Sequence, residues 1–383
     1  MLRLQGRARP NWQEIVESQG LGFHRNVPQG QHGRPYWDES VHYSFALAEV
    51  EDLEGVVEEL HQMCLAVVEH VITTKRFADF GIPEWLHAPI TASWKRRDPH
   101  LFGRFDLCYE GKTHPKLLEY NADTPTSLVE SAVIQWEWMT AVHPDADQWN
   151  SLHERLIDRW KQIDPGPLHL AYTATEESGE DALNVAYMAE TATQAGLATQ
   201  VLTMEEIGWE TGLQAFVDSQ HRTLGALYKL YPWEWVIADQ FAGGAIEAQS
   251  SGTPWVEPLW KMLLSNKALL ALLWELNPDH PNLLPAYLDG PRDLISYVSK
   301  PLLGREGASV RIVTPAGVTE NAGDYGTEGY VFQEFWPLPE FDGWRPVLGA
   351  WVVGDQAAGL GIRETAGLIT DNTSSFVPHL IVG

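Results

Sequence analysis

The sequence predicts a mixed α/β (α+β) fold, and three regions of the chain indicate it. Residues 46–75 carry apolar residues at roughly helical spacing among acidic ones, which predicts one long or two shorter amphipathic helices. The middle of the chain alternates strand-like and helix-like stretches, and from about residue 292 apolar runs are separated by Gly-rich turns. With 383 residues, 44% hydrophobic and 20% charged, the chain can bury an ordinary core. We expect one compact body.

The acidic composition limits the classes of partner. Lys and Arg number 26 against 52 Asp and Glu, which leaves a formal net charge of −26. Such a surface repels phosphate backbones and anionic lipids, so we expect no nucleic-acid and no membrane partner. The same charge is compatible with a cationic partner such as a polyamine, or it serves solubility alone.

Cysteine usage and hydropathy predict a cytoplasmic protein. The chain has two cysteines, Cys64 and Cys108, and no CxxC pair, which fits a reducing compartment. The first 24 residues lack the apolar core of a signal peptide, and no run reaches 18 apolar residues. Neither cysteine has the setting of a catalytic thiol. The oligomeric state is left open.

Elements follow from local patterns along the chain. Two short apolar runs, "GRFDLCYEG" and "KLLEYNAD", flank the turn-like "EGKTHP" and predict a β-hairpin within residues 101–121. A helix is expected over residues 125–142, with Pro125 near its first turn. "PLHLAY", "EDALNVAYMAETATQAG" and "ATQVLT" then predict a βαβ unit, with a small-molecule crevice at the strand ends. Ser178 and Asp181 resemble a capping box at the start of its helix.

The predicted hairpin carries the first candidate site, here called the hairpin cluster: Arg104, Asp106, Glu119 and Asn121. Side chains alternate along a strand, so each strand would present its two polar residues on one face. Two carboxylates and an amide oxygen suit Mg²⁺. The alternative is a polar, solvated face of a hairpin.

A glycine-containing loop forms the second candidate site, within "YVSKPLLGREGASVRIV". A strand delivers Lys300, and Gly304 and Gly307 follow in the connection to the next strand. Glycines let backbone N–H groups approach phosphate oxygens, and the lysine adds a point charge. The alternative is a plain hairpin turn, and no Walker sequence is present.

Two further segments are weaker candidates. The run "GYVFQEFWPLPEF" ends a strand in Gln333, Glu334 and Phe335, which could present backbone groups to an adenine, although a core strand is the commoner meaning. "GLGIRETAGLITDNTSS" holds Arg363 among glycines, where an arginine can stabilise a transferring phosphoryl group. The alternative is a surface arginine that pairs with Glu364. HExxH and GxSxG motifs are absent from the sequence.

Taken in order, these motifs resemble the glutathionylspermidine synthase family, from roughly residue 30 to the C-terminus. The resemblance is carried by "GRFDLCYEGKTHPKLLEYNADTPTSLVESAVIQWEW", "LYKLYPWEW", "NKALLALLWELNP", "VSKPLLGREGASV" and "GAWVVGDQAAGLGIRE". It implies an ATP-grasp fold with an entwined pre-ATP-grasp-like region. The expected organisation is an N-terminal helical segment (1–95), a metal-binding hairpin with the pre-ATP-grasp-like α/β region (96–260), and the ATP-grasp lysine, glycine-loop and catalytic-loop region (261–383).

The resemblance also implies roles for site residues. Asp106, Glu119 and Asn121 would hold Mg²⁺, Arg104 would contact the γ-phosphate and the reacting carboxylate, and Arg363 matches the arginine of the family's catalytic loop. The implied ATP-binding positions are Lys267, Lys300, Gly304 to Gly307, Gln333, Glu334 and Phe335. Substrate positions are implied for Thr124, Thr126 and Glu180 or Asp181, which helix capping would equally explain.

The activity implied by the resemblance is an ATP- and Mg²⁺-dependent acid–amine ligation. A carboxylic acid, glutathione or another peptide in this family, would form an acyl phosphate, and an amine such as a polyamine would displace the phosphate. The amidase domain of the bifunctional members has no counterpart here, so no amidase activity is expected. Two alternatives remain: a non-catalytic ATP-binding regulatory protein, and a carboxylate kinase or ATPase without an amine acceptor.

Overall fold

The computed structural model describes residues 1–24, 34–175, 178–240, 242–251, 253–371 and 374–382, and for residues 248–251 it describes the backbone alone. It is a mixed α/β structure with several sheets, so the predicted class is confirmed. Residues 372–373 of the arginine-containing segment 359–375 lie outside the described residues.

Most strands predicted from apolar runs are present. The described residues form these strands, in chain order: β1 (Leu2–Gln5), β2 (Val41–Ala46), β3 (Phe102–Cys108), β4 (Lys116–Asn121), β5 (Leu168–Tyr172), β6 (Thr199–Thr203), β7 (Gly208–Glu210), β8 (Ala215–Val217), β9 (Ala226–Leu230), β10 (Trp255–Val256), β11 (Ala286–Tyr287), β12 (Tyr297–Pro301), β13 (Arg311–Thr314), β14 (Gly317–Glu320), β15 (Tyr330–Glu334), β16 (Arg345–Val353), β17 (Gln356–Thr365), β18 (Ser375–Val377) and β19 (His379–Val382).

The α-helices cover the sheets. In chain order they are α1 (Trp12–Ser18), α2 (Leu47–Thr74), α3 (Glu84–Arg96), α4 (Gln135–Val142), α5 (Leu152–Ile163), α6 (Glu180–Gln194), α7 (Trp233–Ala238), α8 (Ala242–Ser251), α9 (Met262–Ser265) and α10 (Ala268–Leu276).

The amphipathic stretch 46–75 forms one helix, α2. Its buried residues recur every three or four positions, from Val50 and Leu53 to Val68 and Val71, so one stripe faces the core. Burial of each aliphatic side chain contributes about 1.5–3 kcal/mol. The helix ends at Lys75, which adopts a left-handed conformation with φ 61°.

The predicted hairpin is confirmed and lies inside a five-stranded antiparallel sheet, in the order β18-β17-β16-β3-β4. We call it the central sheet. Its β3 and β4 come from the predicted segment 96–260, and the other three strands come from segment 261–383. This pairing places β3 of the hairpin beside β16 and one strand away from β17, both more than 200 residues later in the sequence.

The predicted βαβ unit is also confirmed. Strands β5 and β6 pair in parallel and α6 connects them, within a four-stranded sheet of order β10-β9-β5-β6. The predicted capping box is wrong. Gly179 is the residue before the helix, with φ 85°, and the Ser178 hydroxyl accepts a hydrogen bond from the N–H of Glu180 at 3.1 Å.

The helix expected over residues 125–142 begins three residues late. Helical structure starts at Leu128, passes through a π-helical turn at Glu130–Ile134 and continues as α4. Ser127 has φ 66°, which is outside the helical region, so the chain turns between Pro125 and the helix. The segment 124–127 therefore forms a loop at the edge of the hairpin.

The remaining sheets complete the layers. Strands β12–β15 and β11 form an antiparallel sheet of order β11-β15-β12-β13-β14. Near the N-terminus β2 lies between β1 and β19, so the predicted helical segment 1–95 also contributes two strands. The division into three segments stays a prediction.

Candidate active site

The strand register brings the hairpin cluster together. The two polar residues of each strand share a face, as the alternation predicts, and the register places Arg104 directly opposite Asn121 and Asp106 opposite Glu119. The intervening Phe105 and Tyr120 point to the other face and stack with ring centroids 3.9 Å apart. Gly103 makes this possible, because a Cβ there would lie 2.6 Å from the Tyr120 hydroxyl oxygen.

Two arginines converge on Asp106. Arg104 donates from Nε to Oδ1 of Asp106 at 2.8 Å, and Arg363 donates from Nη2 to Oδ2 at 3.0 Å. A second nitrogen of Arg104 donates to the backbone oxygen of Thr126 at 2.7 Å. Burial opposes the charge of Arg104, but Asp106 outweighs it and raises the pKa of the guanidinium.

The alternative prediction, a surface ion pair between Arg363 and Glu364, is wrong. Neighbouring residues of a strand point to opposite faces, so Glu364 faces away from the cavity. Its carboxylate accepts hydrogen bonds from Arg3, Arg34 and Tyr43 instead. Arg363 therefore lies on the opposite face of β17 from Glu364, which is the face of the hairpin cluster.

Two lysines flank Glu119. Nζ of Lys267, the residue before α10, lies 3.2 Å from Oε2 of Glu119, and it also donates to the backbone oxygen of Gly304 at 2.7 Å. Burial opposes ionisation of Glu119, yet Lys267 and Lys300 outweigh it and lower the pKa of the carboxyl to about 2. Glu119 is an anion at neutral pH.

Lys300 is buried on β12 beside β15. Its Nζ donates to the backbone oxygen of Leu118 and to Oε1 of Gln333, both at 2.7 Å. Gln333 in turn donates to the backbone oxygen of Leu117 at 3.0 Å, so its orientation is fixed. Burial lowers the pKa of Lys300 to about 8, although Glu119 counteracts part of the shift.

Residues 302–310 connect β12 to β13 and form what we call the glycine loop. Gly307 has φ 71°, and a Cβ on it would lie 2.8 Å from the backbone oxygen of Thr370. Glycine is needed there because an L side chain would be strained and would clash. Arg305 donates to the Thr124 hydroxyl at 3.0 Å, and its guanidinium lies 5.9 Å from the ring centroid of Trp235.

One cavity of about 890 Å³ joins these groups. All of the residues singled out in the sequence line it: Arg104, Asp106, Glu119, Asn121, Thr124, Thr126, Glu180, Lys267, Lys300, Gly304, Gly307, Gln333, Glu334, Phe335 and Arg363. Thr124 and Thr126 lie ahead of the first helical residue. The Thr124 hydroxyl accepts a hydrogen bond from Arg305, and the backbone oxygen of Thr126 accepts one from Arg104. Their roles stay predictions.

Sequence reasoning missed two features of this cavity. Arg305 sits between Gly304 and Gly307, where a cation next to a predicted phosphate loop could have been noticed. Asp123 also lines the cavity and forms a buried ion pair with Lys229, with Oδ1 and Nζ 2.6 Å apart, while its other oxygen accepts from the Trp233 N–H. Its partner is 106 residues away, so no local pattern signals it.

The fold is that of glutathione synthetase-like proteins of the ATP-grasp type. A glutathione synthetase-like effector of Globodera pallida, whose structure was solved in the apo form, superposes with a TM-score of 0.53 over 98% of both chains at 9% identity. At this identity the likeness shows the fold alone.

The chain belongs to the glutathionylspermidine synthase pre-ATP-grasp family, whose model matches residues 3–382. A Haemophilus influenzae protein named "Putative acid–amine ligase" is 41% identical over 98% of each chain. The trypanothione synthetase of Crithidia fasciculata is 30% identical over 83% of this chain and 53% of its own length. The bifunctional glutathionylspermidine synthetase/amidase of Escherichia coli is 26% identical over 89% of this chain and 59% of its own length.

These findings confirm the predicted family. The relatives are named ligases or synthetases, and the chain spans between half and three fifths of the length of the two longer ones. Among the described helices, none combines the length and the apolar character that crossing a bilayer requires.

Proposed function

We propose that the chain is an ATP- and Mg²⁺-dependent ligase that forms an amide between a carboxylic acid and an amine. The observation that carries this proposal is the meeting of Arg104 and Arg363 on Asp106, with Glu119 and its two lysines alongside, in one cavity. Such an array of fixed charges suits phosphoryl transfer, where catalysis consists mainly of positioning and electrostatic stabilisation.

The lysine side of the cavity suits the nucleotide. Lys267 and Lys300 would contact its phosphates, and the glycine loop would cover them with backbone N–H groups. Gln333, Glu334 and Phe335 lie where β15 ends and could receive the adenine, beside apolar side chains such as Val298. The volume of about 890 Å³ is large enough for a nucleotide together with a small substrate.

Asp106, Glu119 and Asn121 fit a magnesium ion by their chemistry. They offer carboxylate and amide oxygens, which are hard ligands, and both carboxylates now contact cationic side chains. A bound Mg²⁺ would supply charge neutralisation for the nucleotide phosphates.

The chain's own residues then support a balanced two-step reaction. A carboxylate oxygen of the acid attacks the γ-phosphorus of ATP, the bond to the bridging oxygen breaks, and ADP leaves with that electron pair. Arg104 and Arg363 stabilise the charge on the transferring group. The amine attacks the carbonyl carbon of the acyl phosphate, inorganic phosphate leaves, and the nitrogen loses a proton to give the amide.

We assign the acid and the amine to the part of the cavity that Thr124, Thr126 and Glu180 line, near Arg305. Glutathione or another peptide is our candidate acid, and a polyamine is our candidate amine, a choice that the net charge of −26 also favours. The entwined pre-ATP-grasp arrangement and a cytoplasmic location are part of the same proposal.

The test is ADP release with ATP and Mg²⁺ across carboxylic acids crossed with amines, glutathione and polyamines included, with mass spectrometry of each hit. We expect turnover that requires both an acid and an amine, yields the amide and vanishes in Arg363→Ala. Arg311→Ala, an exposed arginine outside the cavity, is the matched control.

Other outcomes would favour the alternatives. ADP release with an acid alone, and no amide, would indicate a carboxylate kinase or an ATPase. Tight ATP binding without turnover across the panel would favour a non-catalytic, ATP-binding regulatory protein.

A further inference from the structure

A second cluster of possible ligands lies behind the central sheet, on the face away from the cavity. His61, His100 and Asp355 each direct one ligand atom to a common point, and these atoms all lie within 4.8 Å of one another. The three residues come from the middle of α2, from the loop before β3 and from the two-residue turn between β16 and β17. We call this set the His–Asp cluster.

The distances within the cluster match those of a metal centre. Nε2 of His61 lies 3.1 Å from Oδ1 of Asp355, and Nε2 of His100 lies 3.3 Å from the same oxygen. Two ligands of a tetrahedral zinc ion lie roughly 3.3 Å apart when each is about 2.0 Å from the metal. The three atoms can therefore hold one ion with little movement.

The surroundings fix the ligands. The other ring nitrogen of His61, Nδ1, is 3.2 Å from the Tyr120 hydroxyl, the kind of outer partner that orients a metal-binding imidazole. The N–H of Gly354 donates to the backbone oxygen of Leu101 at 2.7 Å, which holds the turn of Asp355 against the loop of His100.

Access also suits a metal. The carboxylate side chain of Asp355 is 57% exposed, so an ion and a water ligand can reach the cluster from solvent. Of the nearby cations, Lys261 is balanced by Glu257 at 2.9 Å.

We propose that the His–Asp cluster binds one divalent transition-metal ion of the zinc class. Two imidazoles and one carboxylate are typical ligands of such ions, and the fourth position is open to water. The ion would join α2, the loop before β3 and the β16–β17 turn. Because Tyr120 lies between Glu119 and Asn121 on β4, it would also brace the hairpin cluster from behind.

The alternative is a metal-free arrangement in which both histidines donate to Asp355. Measurements on tag-free, metal-stripped full-length protein separate the two. Co²⁺ is titrated in the presence of excess Mg²⁺, which occupies oxygen-rich sites, and the visible spectrum is recorded. Zn²⁺ is then added, and the melting temperature is measured with and without it.

We expect one equivalent of Co²⁺ to give the intense visible bands of a four-coordinate ion, and Zn²⁺ to abolish them by displacement. Zn²⁺ at 100-fold excess over Kd should raise Tm by roughly 2 °C or more. In Asp355→Asn we expect at least about tenfold weaker binding of both ions. Asp158 is another exposed carboxylate, outside the His–Asp cluster, and Asp158→Asn should bind both ions as the wild type does.

The proposal is overturned if the wild type binds no stoichiometric Co²⁺ or Zn²⁺, or if Asp355→Asn binds both ions as tightly as the wild type. The melting temperature of metal-free Asp355→Asn shows that the variant is folded. These readouts do not depend on ligase activity, so they stand whatever the outcome of the substrate panel.

Discussion

At the scale of single residues, the ionisation of the side chains in the site depends on competition between burial and neighbouring charge. Asp106 accepts from Arg104 and Arg363 at once, so the two guanidinium groups are already aligned before any substrate enters. A phosphoryl group that replaced Asp106 as their partner would meet donors that need little reorganisation. Arg363 is the more exposed of the two, which suits a residue that meets the substrate.

Arg363→Ala should lower kcat by about 10²–10³-fold or more, because an arginine that stabilises the transferring phosphoryl group acts mainly in the transition state. The KM for ATP should change far less. Steady-state ADP release measures both, once a substrate pair is known. Arg363→Lys, which retains one charge without the planar fork, should recover part of the loss. Unchanged kcat in Arg363→Ala would contradict the assigned role.

The buried Lys300 predicts a pH dependence. Its pKa of about 8 in the free protein means that the ammonium loses its proton as the pH rises through that value. Since the charged form would bind phosphate, kcat/KM for ATP should fall above pH 8, by up to about tenfold per pH unit. Lys300→Arg keeps its charge throughout and should flatten the profile. A flat wild-type profile up to pH 9.5 would contradict this assignment.

The same group has a separate effect on stability. The folded-state pKa of Lys300 lies below the ordinary value of 10.5, so between about pH 8 and 10.5 the unfolded chain binds the additional proton. The contribution of Lys300 to the free energy of unfolding therefore rises with pH across this window. Activity and stability should move in opposite directions there.

At the scale of elements, the glycine loop contacts both the proposed nucleotide residues and the proposed substrate residues. The backbone oxygen of Gly304 accepts a hydrogen bond from Lys267, and Arg305 donates one to the Thr124 hydroxyl across the cavity. The loop joins two paired strands, so both of its ends are fixed while its middle spans the cavity. A loop held in this way can cover a nucleotide and exclude water.

Gly307→Ala should raise the KM for ATP about 5–10-fold, because the substituted backbone at φ 71° costs roughly 1–2 kcal/mol and the Cβ meets Thr370. Initial rates at varied ATP measure the change. Gly290→Ala is the control, since Gly290 also has a positive φ but has open space around it and lies outside the cavity. Equal kinetic effects in both variants would show that general strain, not the loop, is responsible.

At the scale of the whole molecule, contacts between distant parts of the chain hold the site in place. Glu364 is fully buried behind the central sheet and accepts from Arg3 at 2.7 Å, from Arg34 and from Tyr43, both at 2.6 Å. Three residues from the first 43 positions are thus tied to the strand that carries Arg363. One carboxylate thus links the first strand to β17.

Glu364→Gln should lower the free energy of unfolding by about 3–5 kcal/mol, because it removes the buried carboxylate that two guanidinium groups share and leaves them only their pairs with Asp342 and Asp38. Urea denaturation measures the loss. As a control, Glu340 forms an exposed ion pair with Arg345, and the free energy of unfolding of Glu340→Gln should stay within about 1 kcal/mol of the wild-type value. If Glu364→Gln left the free energy of unfolding almost unchanged, water or other groups would have to replace the carboxylate.

The contribution of Glu364 to stability also rises with pH, as that of Lys300 does, because both groups have a lowered folded-state pKa, but it changes in the acid range. Burial raises the pKa of the carboxyl, but Arg3, Tyr43 and Arg34 outweigh it and lower the pKa below 4.5. Its stabilising contribution is therefore complete above the unfolded pKa of about 4.3 and is lost as the pH falls through the folded value. As the pH falls through this range, the free energy of unfolding of Glu364→Gln should accordingly decrease less steeply than that of the wild type.

Local patterns determined much of this protein by themselves. Two apolar runs around a turn-like stretch predicted the hairpin. The alternation along each strand predicted that Arg104 shares a face with Asp106, and Glu119 with Asn121, because side-chain direction in a strand has a strict period of two. Helix α2 and the βαβ unit around α6 were equally readable from apolar spacing. The family's motifs were readable because they are continuous in sequence.

Only the tertiary structure decided which distant groups meet. Arg363 joins Asp106 across 257 positions, and His61, His100 and Asp355 meet from three separate elements. The turn at Ser127 that delays the helix after Pro125, and the glycine that precedes α6, were also visible only in the structure. Spacing in the sequence reports the face on which a side chain lies, whereas its partner depends on how sheets and helices are arranged in space, and no local pattern records that arrangement.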